Sequence, residues 1–158
     1  MVRYWLIKSE PGTFSFQDLL AAPKKRTLWE GIRNYQARNS LRDDMAVGDG
    51  VLFYHSSCEP SGVAGLARVS GASVPDPTQF DKRSEGHDPK SSRTAPTWFA
   101  VEIEAVRELP QFVSLEQLKG HRALAKMCVV QRGMRLSVQP VTASEWRTVL
   151  LLGGVPER

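Results

Sequence analysis

A chain of 158 residues with 41% apolar, 24% charged and 8% aromatic residues has the usage of an ordinary soluble globular protein, which excludes a disordered or fibrous class. It is long enough to bury about two thirds of the surface its unfolded chain exposes. The formal net charge of +4 permits an anionic partner without requiring one.

The opening "MVRYWLIKSEP" has too short an apolar run for a membrane helix and no small-residue cleavage site, so a protein that stays off membranes is expected, cytoplasmic, or nuclear in a eukaryote. "RYWLIK" reads as a strand, with Trp5, Ile7 and Ser9 facing one way and Leu6 and Lys8 the other. Pro11 ends it and leaves Ser9 and Glu10 at its mouth. In "FSFQDL", Ser15 can cap a helix while Asp18 returns the hydrogen bond, with Phe14 and Leu19 as the staple. Lys24, Lys25 and Arg26 form a dense basic run, read as a solvated flank.

"LWEGIRNYQARNSLRD", residues 28 to 43, follows. Asn34 can cap a helix on which Ala37, Leu41 and Met45 make an apolar stripe. Asn34, Arg38 and Arg42 sit next to that stripe, with Tyr35 and Asn39 further round, and the helix N-terminus favours an acceptor or phosphate near Trp29 and Gly31. Two readings stay open. The stretch holds a small, flat, polar or anionic ligand; or its amides cap the helix, its arginines pair with Asp43 and Asp44, and Trp29 is core.

"GVLFYHS" is a second strand, with Tyr54 and Ser56 on one face and Phe53 and His55 on the other. His55 reads as structural rather than as a base, and Cys58 beside it matches no catalytic signature. Neither Cys58 nor Cys128 lies in a CxxC pair or has His at ligand spacing, so reduced thiols and no metal site are expected. "GVAGLARVSG" and "TWFAVEIEAV" are further strands; in the latter Phe99, Val101 and Ile103 oppose Glu102 and Glu104, as on a sheet wet on one side. Residues 81 to 96 read as a long surface loop, either mobile or ordered by a ligand. "VSLEQL" repeats the capping chemistry with Ser114 and Gln117. "RLSVQPV", residues 135 to 141, is a shorter fifth strand. "VTASEW" starts a last helix at Thr142 with Glu145, running to Gly153 with Trp146, Val149 and Leu150 on one face. The pattern argues for one α+β domain over residues 1–158 with a curved, antiparallel sheet.

"WLIKSEP" with "SFQDL", "WEGIRNYQARNSLRD", "GDGVLFYHSS", "DPTQFD" and "RLSVQPVTASEW" together resemble the EVE domain family, in order and over almost the whole chain. The resemblance implies a PUA-like fold: a curved, partly closed β-barrel of about five to six mostly antiparallel strands with short capping helices. It further implies kinship with YTH domains and a reader that takes one modified nucleobase of DNA or RNA into an aromatic and polar pocket. The implied pocket falls on Lys8 and Ser9, on Trp29, on Asn34, Tyr35, Gln36, Arg38 and Asn39, on Tyr54, His55 and Ser56, and more loosely on Arg135 and Ser137. In that scheme Trp29 stacks on the base, uncharged amides and hydroxyls read its edge, and Arg38 and Lys8 hold a flanking phosphate.

No cofactor, metal or catalytic residue is expected, and a monomer is expected. Two rival functions remain: a hydrolase on a similar ASCH-like barrel using Lys8 or His55 with Glu10, and a protein-interaction module with a vestigial pocket.

Overall fold

The computed structural model describes residues 2–156. Its strands are β1 (Tyr4–Ser9), β2 (Arg26–Trp29), β3 (Gly50–His55), β4 (Gly62–Val69), β5 (Val74–Pro75), β6 (Phe99–Ser114) and β7 (Val138–Val141), and its helices α1 (Phe16–Ala21), α2 (Tyr35–Asn39), α3 (Leu115–Gly120) and α4 (Ala143–Leu152). The strands form one sheet in the order β2-β6-β4-β3-β1-β7, with β5 beside β6. Only β1 and β3 run parallel, Trp5 opposite Val51; every other pair is antiparallel. The α+β, mostly antiparallel class is as expected, with seven strands in place of five to six. The edge strands β2 and β7 are not paired with each other, so the sheet stays open.

Alternation along β1 and β3 sends apolar side chains to both faces. Trp5, Ile7 and Phe53 join Phe16 and Leu19 of α1 and Ala37, Leu41 and Met45 in one buried cluster. Leu6, Leu52 and Tyr54 join Leu118, Leu124, Met127 and Val149 in another. A sheet covered twice by short helices explains how this chain buries enough area without long ones.

The three expected capping boxes form with the expected partners: Ser15 with Asp18, Ser114 with Gln117, and Thr142 with Glu145, each side chain bonding the other residue's backbone N–H. Asn34 caps α2 by accepting from the Ala37 N–H at 3.0 Å. That helix is five residues long and passes into a π turn, Ser40–Asp44. So short a helix contributes little dipole at its N-terminus, which removes the expected anion site there. Glu104 is gripped from both strands that neighbour β6, by Arg26 at 2.8 Å and Arg68 at 2.6 Å. Arg26 is therefore no free cation of the basic run.

Strand β6 extends well past the expected residues 97–106, through Pro110. Its pairing with β4 jumps from Gly65↔Glu108 to Val63↔Val113, so the proline sits in an irregular stretch where no ladder N–H is required of it. Gly65, beside that jump, has the Phe16 ring 2.4 Å from where a Cβ would stand; only glycine lets α1 lie so close to the sheet.

The segment 81–96 is a surface loop, as expected, yet it is stitched to the body. Gln79, fully buried, donates to the carbonyls of Asp76 at 2.8 Å and Trp98 at 2.7 Å, and its Oε1 accepts from Ser91 Oγ and from the Thr97 and Trp98 N–H groups. Five bonds on one amide satisfy it completely in the interior.

Candidate nucleic-acid interface

At the end of β1, where Pro11 breaks the strand, the chain turns through Thr13 and Phe14 opposite β2. Between them opens a solvent-accessible hollow of about 500 Å³, lined by Lys8, Ser9, Glu10, Thr13 and Phe14 on one side and Thr27, Leu28, Trp29, Glu30 and Ile32 on the other. Trp29 is half-buried. Phe53 meets its ring edge-on at 5.6 Å and Phe14 at 6.1 Å, which holds the indole plane fixed.

Ser9 is buried and its hydroxyl donates to the Phe14 carbonyl, closing the β1 turn. Lys8 borders the hollow, but its ammonium donates to the Met134 carbonyl at 3.3 Å and lies 6.0 Å from the Tyr54 ring centre; burial lowers its pKa. Glu10 and Glu30 are exposed carboxylates with no side-chain partner among the described residues. Burial, and then the nearby Asp76, raise the Glu30 carboxyl above its ordinary value, with Arg33 opposing.

The sequence anticipated Lys8, Ser9 and Trp29 at this place and missed Thr13, Phe14, Thr27, Glu30 and Ile32. The missed signal was β2 itself: "RTLW" is short and follows a basic run, so it was not read as a strand that pairs with β6 and carries Trp29 to the rim.

Several expected pocket residues lie outside this hollow. Asn34, Tyr35, Gln36, Arg38 and Asn39 do not line the hollow. Asn34 is spent on the cap, and Tyr35 stacks on Trp98 with centroids 4.9 Å apart. Arg38 lies over the Tyr35 ring at 5.1 Å and donates to the Thr97 carbonyl at 2.7 Å and to Asn39 Oδ1 at 2.9 Å. Gln36 is exposed.

The polar fan thus clamps the 76–98 segment, helped by Arg33, which the sequence did not single out. Arg33 lies 5.2 Å from the Trp98 ring centre and donates to Asp76 at 3.0 Å, to Thr78 Oγ1 at 2.8 Å and to the Gly86 carbonyl at 2.6 Å. Asp76 is fully buried and also accepts from the Gly31 N–H at 2.7 Å. Burial alone would raise its carboxyl; the bonds from Thr78, Gly31 and Arg33 outweigh that and hold it below the ordinary value.

Tyr54 is buried in the cluster on the other face of the sheet, because it alternates with Phe53. His55 Nε2 accepts from the Phe16 N–H at 3.0 Å, at the start of α1, and burial lowers its pKa so that it stays neutral there. This is the structural role the sequence suggested, not a pocket role. Ser56 and Ser137 touch β1 through backbone alone: the Ser56 N–H donates to the Ser9 carbonyl and the Lys8 N–H to the Ser137 carbonyl, both at 2.9 Å. Arg135 is exposed on the segment beside Lys8.

Among the described residues no group of three or more His, Cys, Asp or Glu side chains could hold a metal ion, and no helix is long and apolar enough to cross a membrane.

The chain is 41% identical over 94% of its length to human thymocyte nuclear protein 1, covering 73% of that protein. In structure it is similar to a human thymocyte nuclear protein 1 crystallised in complex with DNA containing 5-methylcytosine, at 40% identity and a TM-score of 0.90 over 98% of this chain and 99% of that one. A Pseudomonas syringae protein matches at 44% identity and a TM-score of 0.89 over 95% and 99%. A Zymomonas mobilis ASCH protein shares the fold alone, at 13% identity and a TM-score of 0.55 over 95% and 98%. The EVE domain model matches residues 3–152; the chain belongs to the EVE domain family, with its PUA-like fold.

Proposed function

We propose that this chain binds DNA carrying a modified base and takes that base into the hollow beside Trp29. The observation that carries the reading is the hollow itself: about 500 Å³, open to water, with a rigidly held, half-exposed indole in its wall. That size lies within the range of small-molecule sites. The similar human protein crystallised with 5-methylcytosine DNA supports the choice of ligand.

Taking a base out of its stack costs a few kcal/mol, and stacking on Trp29 returns roughly 1–3 kcal/mol. Lys8 and Ser9 also line the hollow but donate to backbone carbonyls of the protein; the polar groups left are the acceptors Glu10 and Glu30, with Thr13 and Thr27 able to donate or accept. Such a set suits the exocyclic amino group of a cytosine, which a carboxylate reads by accepting. A base methyl group lodged against Phe14 or Ile32 adds about 0.8 kcal/mol.

Binding rather than catalysis is favoured because the two groups that would work with Glu10 are engaged, the Lys8 ammonium by Met134 and His55 Nε2 by the start of α1. The test is Trp29→Ala, with affinity measured for oligonucleotides carrying 5-methylcytosine or plain cytosine, in DNA and in RNA. The preference for the modified DNA disappears if the base stacks there. An equal loss on modified and plain strands overturns the pocket.

A further inference from the structure

Cationic charge is unevenly spread over this molecule. Residues 117 to 144 contain Lys119, Arg122, Lys126, Arg132 and Arg135 and not one carboxylate. These five exceed the formal net charge of +4, so the rest of the chain is net acidic by one. All five are exposed, and none has an ion pair or side-chain hydrogen bond among the described residues. Arg26, Arg33, Arg42 and Arg68, by contrast, each hold a carboxylate.

The segment is a folded lobe. Leu124, Met127 and Val129 anchor it in the second apolar cluster, and the Gln131 amide donates to the carbonyls of Ala125 at 3.0 Å and Met127 at 3.2 Å. Its far end is fixed to β1, where Lys8 donates its backbone N–H to Ser137 and its ammonium to Met134. Since Lys8 borders the hollow, the Met134 and Ser137 end of the lobe, with Arg135 between them in the chain, meets the hollow's rim. Lys119 shares a surface hollow with Glu59 and Glu116, whereas Arg122, Lys126, Arg132 and Arg135 have no ion-pair partner among the described residues; these like charges repel one another and focus a positive potential, an arrangement suited to a chain of phosphates.

We propose that the lobe 119–135 carries the sugar-phosphate backbone of a nucleic-acid strand; its placement beside a base-binding site rests on the function proposed above. The ligand is thus a polynucleotide held by several phosphates on the Lys8 side of the hollow, rather than a free nucleoside. Arg122, Lys126 and Arg132 position the strand and read no sequence.

The experiment compares the wild-type protein with a triple variant, Arg122→Gln, Lys126→Gln and Arg132→Gln, and with a charge-keeping variant, Arg122→Lys and Arg132→Lys. Binding is measured from low to moderate salt for a plain DNA oligonucleotide, the same strand with 5-methylcytosine, and free 5-methyl-2′-deoxycytidine. Each lost phosphate contact lowers the slope of log affinity against log salt by about 0.7–0.9. The triple variant is expected to lose about two units of slope and at least about ten-fold in low-salt affinity on both strands, the lysine variant to keep its slope, and the nucleoside to bind all three proteins alike.

An unchanged slope in the triple variant, or a wild-type protein that binds neither strand, overturns the track. So does a fall in nucleoside affinity that matches the fall on strands. If the slope changes as expected while modified and plain strands bind equally, the track stands and only the base-pocket reading fails.

Discussion

One sequence stretch serves two regions with opposite tasks. Its first part, Thr27 to Ile32, leaves a half-exposed indole and an unpaired carboxylate at an open hollow. Its second part, Arg33 to Asn39, turns both arginines and the Tyr35 ring onto the protein's own 76–98 segment, in a column of Arg33, Trp98, Tyr35 and Arg38, and spends Asn34 on the helix cap. The first part pairs an indole with a carboxylate, the second is crowded with guanidinium and amide groups, and both look like recognition surfaces when written as letters. What separates them is partnership. A guanidinium or amide whose bonds are already made inside the protein has little left to offer a ligand, whereas a carboxylate at a hollow without a partner retains its full hydrogen-bonding capacity.

The comparison breaks most visibly at Asp76, which joins the two regions by accepting from both Gly31 and Arg33. Asp76→Ala takes the buried acceptor from the Gly31 and Thr78 N–H groups and from Arg33, a part-buried guanidinium that keeps its bonds to Thr78 and Gly86, and costs about 3 kcal/mol, read as a fall in the chemical-denaturation midpoint. The pH sense follows from its depressed carboxyl. The wild-type protein holds this stability above the ordinary aspartate range and loses it as pH falls through the folded-state value, whereas the variant shows a flatter acid limb.

Next in size is Tyr35→Ala. It removes one stacked ring from the column and lowers stability by about 1 kcal/mol, measured by thermal unfolding, while leaving any preference among oligonucleotides as in wild type. A loss of base preference as large as that from Trp29→Ala would return the second region to the binding site.

The smallest effect is expected from Glu30→Gln. A raised carboxyl opposes folding once it ionises, so the variant gains a little melting temperature at neutral pH and none in acid, below the carboxylate range. A gain that persists in acid would assign the effect to something other than the Glu30 charge.

Local chemistry was the legible part of the fold. Ser15, Ser114 and Thr142 each announced a helix start because a capping box is satisfied within four residues, and Asn34 did the same. The Ala37, Leu41 and Met45 stripe survived even a change from α-helix to π turn, since all three remain buried.

Long-range features were not legible. That Pro110 stands inside a strand depends on the shifted β4–β6 pairing, and that Gln79 is buried depends on Asp76, Ser91, Thr97 and Trp98 closing around it. The site divided in the same way. Trp29 and "KSEP" marked the hollow, yet Thr27 and Glu30 are placed there by a four-residue strand whose identity depends on its pairing with β6. Tyr54 went to the wrong side because the sequence shows which residues share a face but not which face meets the hollow.

The contrast between sealed and accessible indoles has a practical consequence. Trp5 and Trp98 are 4% and 5% exposed, while Trp29 is the tryptophan that borders the hollow. The protein therefore carries its own optical reporter. A guest stacked on Trp29 quenches that ring's share of the fluorescence and leaves the other three, Trp5, Trp98 and the partly buried Trp146, emitting as a constant background, so occupancy can be followed by light alone, without attaching a dye.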